Sequence, residues 1–540
     1  MPRRNRIKLS NASLVQPITP GVTNNFLTLQ DVNAQLAGNK WPVSPAAPTN
    51  FNVSAYDNAL LLKWQPPEQT AGINNYVVRY FRAGQPVKTQ TVAADATRFV
   101  IDELQNNETY TVQIAAVGVR QGRSSPAVSA VPGRRQGALY AFGNNYAGTF
   151  GNGQKGVNFF HTTPQQIGAR TDWVDIAGGY STALGITASG EMYLWGTNYG
   201  TDLGAQGSYG FVPTPTRVGS QNNWQKAWII GSTYFAANHD GELFRWGDNW
   251  RGKLGNGFES LAFSYPGPKM LVPTRFEELP GRCIDLASAL PHTIGVIALL
   301  DTGAMWGWGP LCNGVGSTPN LPALRWGDAA PCLYNANGSP YGEPSFKPQP
   351  LFQNTSSVWK KITNSGGIAV DGTFWSWGWG ANGVCGDGGD STAWRTTAAP
   401  RLNGAKFKNA IKGHSQLCLQ PVAGQWQVLG ENAMWGPFPG PHGNTIISPL
   451  GLSTISRHEL QPVTLPTTTK FISVTPVNPN GAGGGGYGIG DDEKVYVWGY
   501  PKYMFFDEPD IDATPTELPA LNGAIKIVDA GSSGYAIMPA

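Results

Sequence analysis

The sequence predicts an all-β protein: a seven-bladed β-propeller over residues 137–540, a β-sandwich over 46–133 and an extended N-terminal arm over 1–45. Three observations carry the propeller. First, after residue 137 the chain repeats one pattern seven times. An apolar strand ends in a bulky residue and Gly, and a Gly/Asn-rich loop follows. Then come a Pro-containing strand, a strand of the type Trp-x-x-Ile, and a small-residue strand closing on a tight turn. The strand ends are Phe142-Gly143, Trp195-Gly196, Trp246-Gly247, Trp308-Gly309, Trp377-Gly378 and Trp498-Gly499, with a degenerate copy at Leu429-Gly430, spaced 51 to 69 residues apart. Periods of this size mean repeated supersecondary units, and four short strands per unit mean blades. Second, Gly (69), Pro (42) and Trp (19) are abundant while only 14% of residues are charged, which suits many short strands separated by turns. Third, the ends match. Turns at Gly190, Gly241, Gly303, Gly372, Gly424 and near Asp492 join fourth strands to first strands, giving six hairpins for seven units. The C-terminal strand Gly534–Ala540 is then the expected partner of the starting strand Gly137–Gly143, which removes two open sheet edges.

The arm is polar and lacks a strand pattern. Thr28, Leu29, Val32 and Leu36 have helical spacing, and Gly38-Asn39 supplies a stop. One short helix does not fold alone, so the arm either orders against a partner or stays a tail. Arg3, Arg4, Arg6 and Lys8 give it +4, while the whole chain carries only +3. The remaining body is therefore close to neutral, which argues against specific nucleic-acid binding.

Strand-like runs FNVSAY, ALLLKW, NYVVRYF, TRFVI, TYTVQIAAV and AVSAV over 46–133 alternate with turn residues, as in a sandwich. The segment resembles an immunoglobulin-like domain of the fibronectin type III class. Trp64 stands at its core position, and Leu104 followed by Tyr110 looks like a tyrosine corner. Such domains serve more often as spacers than as binders.

The segments GALYAFGNNYAGTFGNG (137–153), EMYLWGTNYGTDLGAQG (191–207) and ELFRWGDNWRGKLGNG (242–257) resemble the regulator-of-chromosome-condensation repeat. The resemblance covers 137–540 and fades through units four to seven. It implies a seven-bladed propeller but no single activity, since the family includes an exchange factor, a β-lactamase inhibitor and a light receptor.

Antiparallel strands alternate their connections between two faces. Loops after first and third strands share one face, and the long insertions 310–345, 430–460, 499–512 and 478–487 all fall there. The chain enters the ring on the other, short-loop face. On the long-loop face an aromatic recurs after the first strand: Tyr146, Tyr199, Trp250, Trp379 and Trp435. These side chains are candidate ligand-binding anchors for a glycan or a protein, or they pack between neighbouring loops. Trp306 with Trp308, Trp375 with Trp377, and the repeated Trp173, Trp224 and Trp359 belong to the core instead.

No catalytic constellation is found. Six scattered histidines show no His-Glu-x-x-His, and there is neither a Gly-x-Ser-x-Gly elbow nor a phosphate-binding Gly-rich loop. GDGGD (386–390) lacks the spacing of an EF-hand loop, and GGGGYG (483–488) has no helix after it. The five cysteines have no zinc spacing; Cys312 and Cys332 share a loop and could pair. No run is long enough for a membrane span, and the basic start lacks the apolar stretch of a secretory signal. The expectation is a non-enzyme without metal or cofactor.

Modules typical of extracellular adhesion, no export signal and a basic arm before a spacer together suggest a bacteriophage virion protein, either a tail-fibre appendage or a head decoration. The arm (Arg3, Arg4, Arg6, Lys8, Leu29, Val32, Leu36) would dock onto other virion proteins in a symmetric, multi-copy assembly. The propeller would attach to a host-surface glycan or protein. The alternative is a protein-interaction propeller of an extracellular or cytoplasmic protein, including a GTPase regulator. Scant charge argues against an exchange factor, which would want a charged wedge or an acidic rim.

Overall fold

The computed structural model of the chain describes residues 44–540 except 69, 71, 146–147, 155–159, 180, 199–209, 250–251, 258–269, 289–294, 310–346, 352–357, 365, 380–393, 413–415, 423, 425, 431–460, 463–468, 477–484, 500–514 and 531–532. The described residues form strands, turns and two short 3-10 segments, Leu402–Gly404 and Pro519–Leu521, so the protein is all-β. The arm residues Arg3, Arg4, Arg6, Lys8, Leu29, Val32 and Leu36 lie outside the described residues, as do Cys312 and Cys332. The chain divides into two compact units. The smaller holds residues 63–97 and 110–129 with the segment ending at Asn52; the larger holds 53–62, 98–109 and 130–540.

In the smaller unit, Asn75–Arg82 pairs with Tyr110–Val117 on one edge and with Lys88–Ala93 on the other. Alternation buries Tyr76, Val78 and Tyr80 on the same face as Val112, Ile114 and Ala116. Trp64 meets Tyr76 edge-on with ring centroids 5.3 Å apart. Lys88–Ala93 is absent from the strands read in the sequence. Only Val92 of its six residues is buried, so it shows no apolar alternation. Thr49–Tyr56, Ala59–Gln65 and Arg98–Ile101 form a separate three-stranded sheet, whose residues 53–62 and 98–101 are counted with the larger unit.

The larger unit contains the propeller. Each of its sheets takes the third and fourth strands of one sequence unit and the first and second strands of the next. Trp224–Ile230 and Thr233–Asn238 thus pair on into Leu243–Gly247 and Met270–Arg275. Four further sheets of four strands follow the same rule. One eight-stranded sheet joins two such sets through a single Trp173–Gly137 bridge. In it, Ser533–Pro539 runs antiparallel to Gly137–Asn144, from Ser533 opposite Gly143 to Pro539 opposite Gly137. The third strands, Trp173–Gly178, Trp224–Ile230, Cys283–Ser288, Trp359–Thr363, Phe407–Lys412, Phe471–Pro476 and Lys526–Asp529, lie at the inner edge. Each touches the next, and the last touches the first.

The hairpins between fourth and first strands turn on Gly190, Gly241, Gly303, Gly372 and Gly424, with φ between 75° and 116°. The sixth departs from this. Its left-handed residue is Glu493 at φ 64°, a conformation that costs a residue with a Cβ about 1 kcal/mol. The carboxylate of Glu493 accepts a hydrogen bond from the Tyr56 hydroxyl at 3.1 Å. The neighbouring Asp491 accepts one from Arg98 Nε at 2.6 Å.

Between the sheets lie aromatic rings. Trp173, Trp195, Trp224, Trp246, Trp308, Trp377, Trp426 and Trp498 are fully buried. Trp306, Trp375 and Tyr193, two residues before a buried Trp on the same strand, are only partly covered. Cys283 and Cys418 are free, buried thiols, and desolvation pushes each up to about 12.

Fourth-strand glycines make room for these rings. A Cβ on Gly488 would stand 2.2 Å from Phe471 Cε1, and Phe471 is itself wedged against Trp498 at 5.6 Å and Tyr496 at 6.0 Å. Gly488→Ala is therefore expected to destabilise the protein by about 1–3 kcal/mol, as overpacking does. Denaturant unfolding checks this, with Phe471→Leu in the same chain recovering part of the loss.

Candidate functional site

Of the five aromatics expected to bind a ligand, Tyr146, Tyr199, Trp250 and Trp435 lie outside the described residues. Trp379 ends the strand Phe374–Trp379, where its backbone pairs with Trp394. The loops that follow first strands are described in part, and their construction is clear in two units. Asn145 and Asn249 are buried, and each side-chain oxygen accepts a backbone N–H five residues on, from Phe150 at 3.0 Å and Leu254 at 2.9 Å. The Asn of the repeat is thus a loop clamp. Its loop then receives the tryptophan of a neighbouring first strand. Trp195 Nε1 donates to the Thr149 carbonyl at 2.8 Å, and Trp308 Nε1 to the Lys253 carbonyl at 2.6 Å. Gly151 and Gly255 let the indoles this close: a Cβ there would lie 3.1 Å and 2.9 Å from Cδ1 of Trp195 and Trp308. The Tyr535 hydroxyl donates to the same Thr149 carbonyl at 2.7 Å. In these two loops Asn, Gly-x-Gly and the Trp-Gly of a neighbouring strand form one interlocking device, whereas the indole N–H groups of Trp246 and Trp498 are buried without a partner among the described residues.

A second constellation was missed in the sequence. In six of the inner strands the pairing to the fourth strand slips by one residue after the leading aromatic or Cys. The bulges fall between Trp173 and Asp175, Trp224 and Lys226, Cys283 and Asp285, Trp359 and Lys361, Phe407 and Asn409, and Phe471 and Ser473. A bulge re-aims the side chain beyond it. In the seventh inner strand Lys526 opposes Ile537, the register that Asp175 holds opposite Ile186. Seven equivalent positions thus follow one another around the ring: Lys526, Asp175, Lys226, Asp285, Lys361, Asn409 and Ser473.

The first five alternate in charge, and the first four form two ion pairs, Lys526 with Asp175 and Lys226 with Asp285. Asp175 is held by Lys526 and by Arg134 Nη1 at 3.0 Å. Asp285 accepts from Lys226 Nζ at 2.6 Å and from Trp228 Nε1 at 3.2 Å. Arg134 also donates to the Gln225 carbonyl, so it ties two inner strands together. Burial pushes the Asp175 carboxyl up, but Lys526 and Arg134 outweigh it and hold the group below the ordinary 3.8. Burial acts the same way on Asp285, and Lys226 again prevails. Lys361 goes down, chiefly through desolvation, with Asp285 opposing. The signal was present in the sequence as WVDI, WQKA, CIDL and WKKI, where the third residue changes sign from unit to unit.

Among the described residues no group of three or more His, Cys, Asp or Glu side chains could hold a metal ion. No described helix is long and apolar enough to cross a membrane.

The depressed carboxyls set an acid limit. Groups whose folded-state values lie below their unfolded ones stabilise fully above the ordinary carboxylate range, and that contribution is lost as pH falls through the folded value. The melting temperature is expected to stay level above about pH 5 and to drop below about pH 4. Asp285→Asn should lower it at neutral pH, by leaving Lys226 without its acid, and should flatten the acid slope. Thermal melts across pH check both effects.

Comparison with known proteins follows the same division of the chain. Residues 46–131 match the Fibronectin type III domain. The E3 ubiquitin-protein ligase HERC2 of Homo sapiens is 30% identical over 177 residues, which is 32% of this chain and 3% of that protein. The Secretion-regulating guanine nucleotide exchange factor of Mus musculus is 28% identical over 250 residues, 44% of this chain and 51% of that protein. The chain thus spans about half the length of the exchange factor and a small fraction of the ligase. The mitochondrial RCC1 domain-containing protein RUG3 of Arabidopsis thaliana is 24% identical over 428 residues, covering 73% of this chain and 85% of that one. Among solved structures, Prp20p from Saccharomyces cerevisiae, described with its binding properties to Gsp1p and histones, superposes with a TM-score of 0.54 at 16% identity. The match covers 75% of this chain and 92% of Prp20p, and at that identity it speaks for the fold alone. None of these four is a virion component, so the expectation of a phage tail or head protein draws no support from them. The chain carries a fibronectin type III domain followed by a β-propeller with homologues among RCC1-like proteins.

Proposed function

We propose that this protein is a non-enzymatic protein-interaction propeller of seven blades, closed where residues 533–539 meet 137–143, that presents its long-loop face to a protein partner. The observation that carries the reading is the loop device: Asn145 and Asn249 clamp their loops, and Trp195 and Trp308 fasten them to the sheets. Loops held this firmly can hold anchors in place at low entropic cost. Tyr146, Tyr199, Trp250, Trp379 and Trp435 are the proposed anchors, with residues 1–45 as a second, docking segment. The match to an exchange factor over 44% of the chain favours a protein partner over a glycan. A small GTPase is the narrower candidate.

The partner is tested by offering the full chain small GTPases loaded with a fluorescent nucleotide, reading both binding and nucleotide release. Replacing Tyr146, Tyr199 and Trp250 by Ala is expected to weaken partner binding by roughly thirtyfold or more, the effect of truncating an interface anchor, while the melting temperature stays nearly unchanged. A collapse in stability would show these rings to be packing between loops. Binding that persists undiminished would move recognition off this face, and binding without faster release would make the protein an adaptor and not an exchange factor. The virion reading predicts instead that the chain co-purifies with phage particles.

A further inference from the structure

We propose that the inner edge of the propeller carries an oxyanion-binding site between Lys361 and Lys526, at the two ring positions, Asn409 and Ser473, that have no charged side chain. The position is built. Six bulges at one register aim the residues after them, and the same register is kept in the seventh strand. From Lys526 through Asp175, Lys226 and Asp285 to Lys361 the charges alternate, so three lysines face two aspartates. Asn409 and Ser473 then break the series, and one positive charge is left without a ring partner.

That charge sits at Lys361. Its nearest acid in the ring, Asp285, already takes the 2.6 Å bond from Lys226. Lys361 itself makes no hydrogen bond or ion pair among the described residues, although Asp57 and Lys360 act on it electrostatically with opposite signs. On the next inner strand the amide oxygen of Asn409 is buried without a partner. An amide turned by half a rotation presents two N–H donors in place of the oxygen. Ser473, on the strand after, is exposed and adds a hydroxyl. An ammonium, an amide and a hydroxyl form a donor set for an oxyanion, with charge-assisted bonding from the lysine. The ligand class is a carboxylate or phosphate group, free in solution or carried by an acidic peptide. The site stands on the inner strands and is independent of the long-loop face.

Inorganic phosphate and a hexaglutamate peptide are titrated into the full-length protein by calorimetry and by thermal melts, against sodium chloride at equal ionic strength. At least one of the two is expected to bind and to raise the melting temperature above the chloride reference. Lys361→Gln should keep the fold, since the ammonium it removes is desolvated, and should weaken binding roughly tenfold or more. Asn409→Asp supplies the missing acid from within, so it should raise the melting temperature without ligand and abolish the response. Phosphate binding marks a free anion as the source, and binding of the peptide alone marks an acidic segment of a partner. The proposal is overturned if neither binds, or if both variants bind as tightly as the natural protein. If Asn409→Asp does not fold, Lys361→Gln alone decides.

Discussion

No sheet of the propeller belongs to a single sequence unit. Each takes two strands from one unit and two from the next, so no unit can complete its own backbone pairing. Neighbouring units are therefore bound by the strongest requirement a chain has, that buried N–H and C=O groups find partners. The indole bonds from Trp195 and Trp308 to the Thr149 and Lys253 carbonyls extend the same dependence to the loops. The fastening of these two loops thus depends on strands of neighbouring units, as the sheets do.

The inner edge uses a different economy. The ion pairs here are partly buried; desolvation offsets much of the attraction in such pairs, while breaking one leaves a half-covered charge without its partner. Lys226 and Asp285 come from adjacent inner strands, as do Lys526 and Asp175. Such pairs act as register pins: a neighbour slipped by one residue would strand a charge. Arg134, reaching from the segment before the first strand to Asp175 and the Gln225 carbonyl, extends the pinning to the entry of the chain.

Much of this was legible in the residues. Trp-Gly strand ends and glycine turns recur at fixed positions, since backbone geometry and ring packing demand those residue types. The turn at Glu493 was found only as a place near Asp492, because it replaces the expected glycine with a strained residue that hydrogen-bonds Tyr56. Lys88–Ala93 was invisible because an exposed edge strand has no apolar face to display. The second strands Gln349–Pro350 and Thr516–Glu517 are only two residues long, with Pro350 in one and Pro515 just before the other, and proline leaves little to pair. The inner charges were passed over for a related reason. Each is unremarkable in its own unit, and only the common bulge shows that Asp175, Lys226, Asp285 and Lys361 face the same way.

The pairing of Ser533–Pro539 with Gly137–Asn144 joins segments about 400 residues apart in the chain. At the usual 5–20 residues per second of synthesis, roughly 20–80 s separate the emergence of the two partners. Throughout that interval the edge of Gly137–Asn144 and the ring of Phe142, later covered against Gly534 and Tyr487, stand open beside a growing polypeptide. The last sheet can close only after synthesis has passed its final strand. Until then this half-built edge presents unpaired backbone groups that only a strand arriving from the far end of the chain can satisfy.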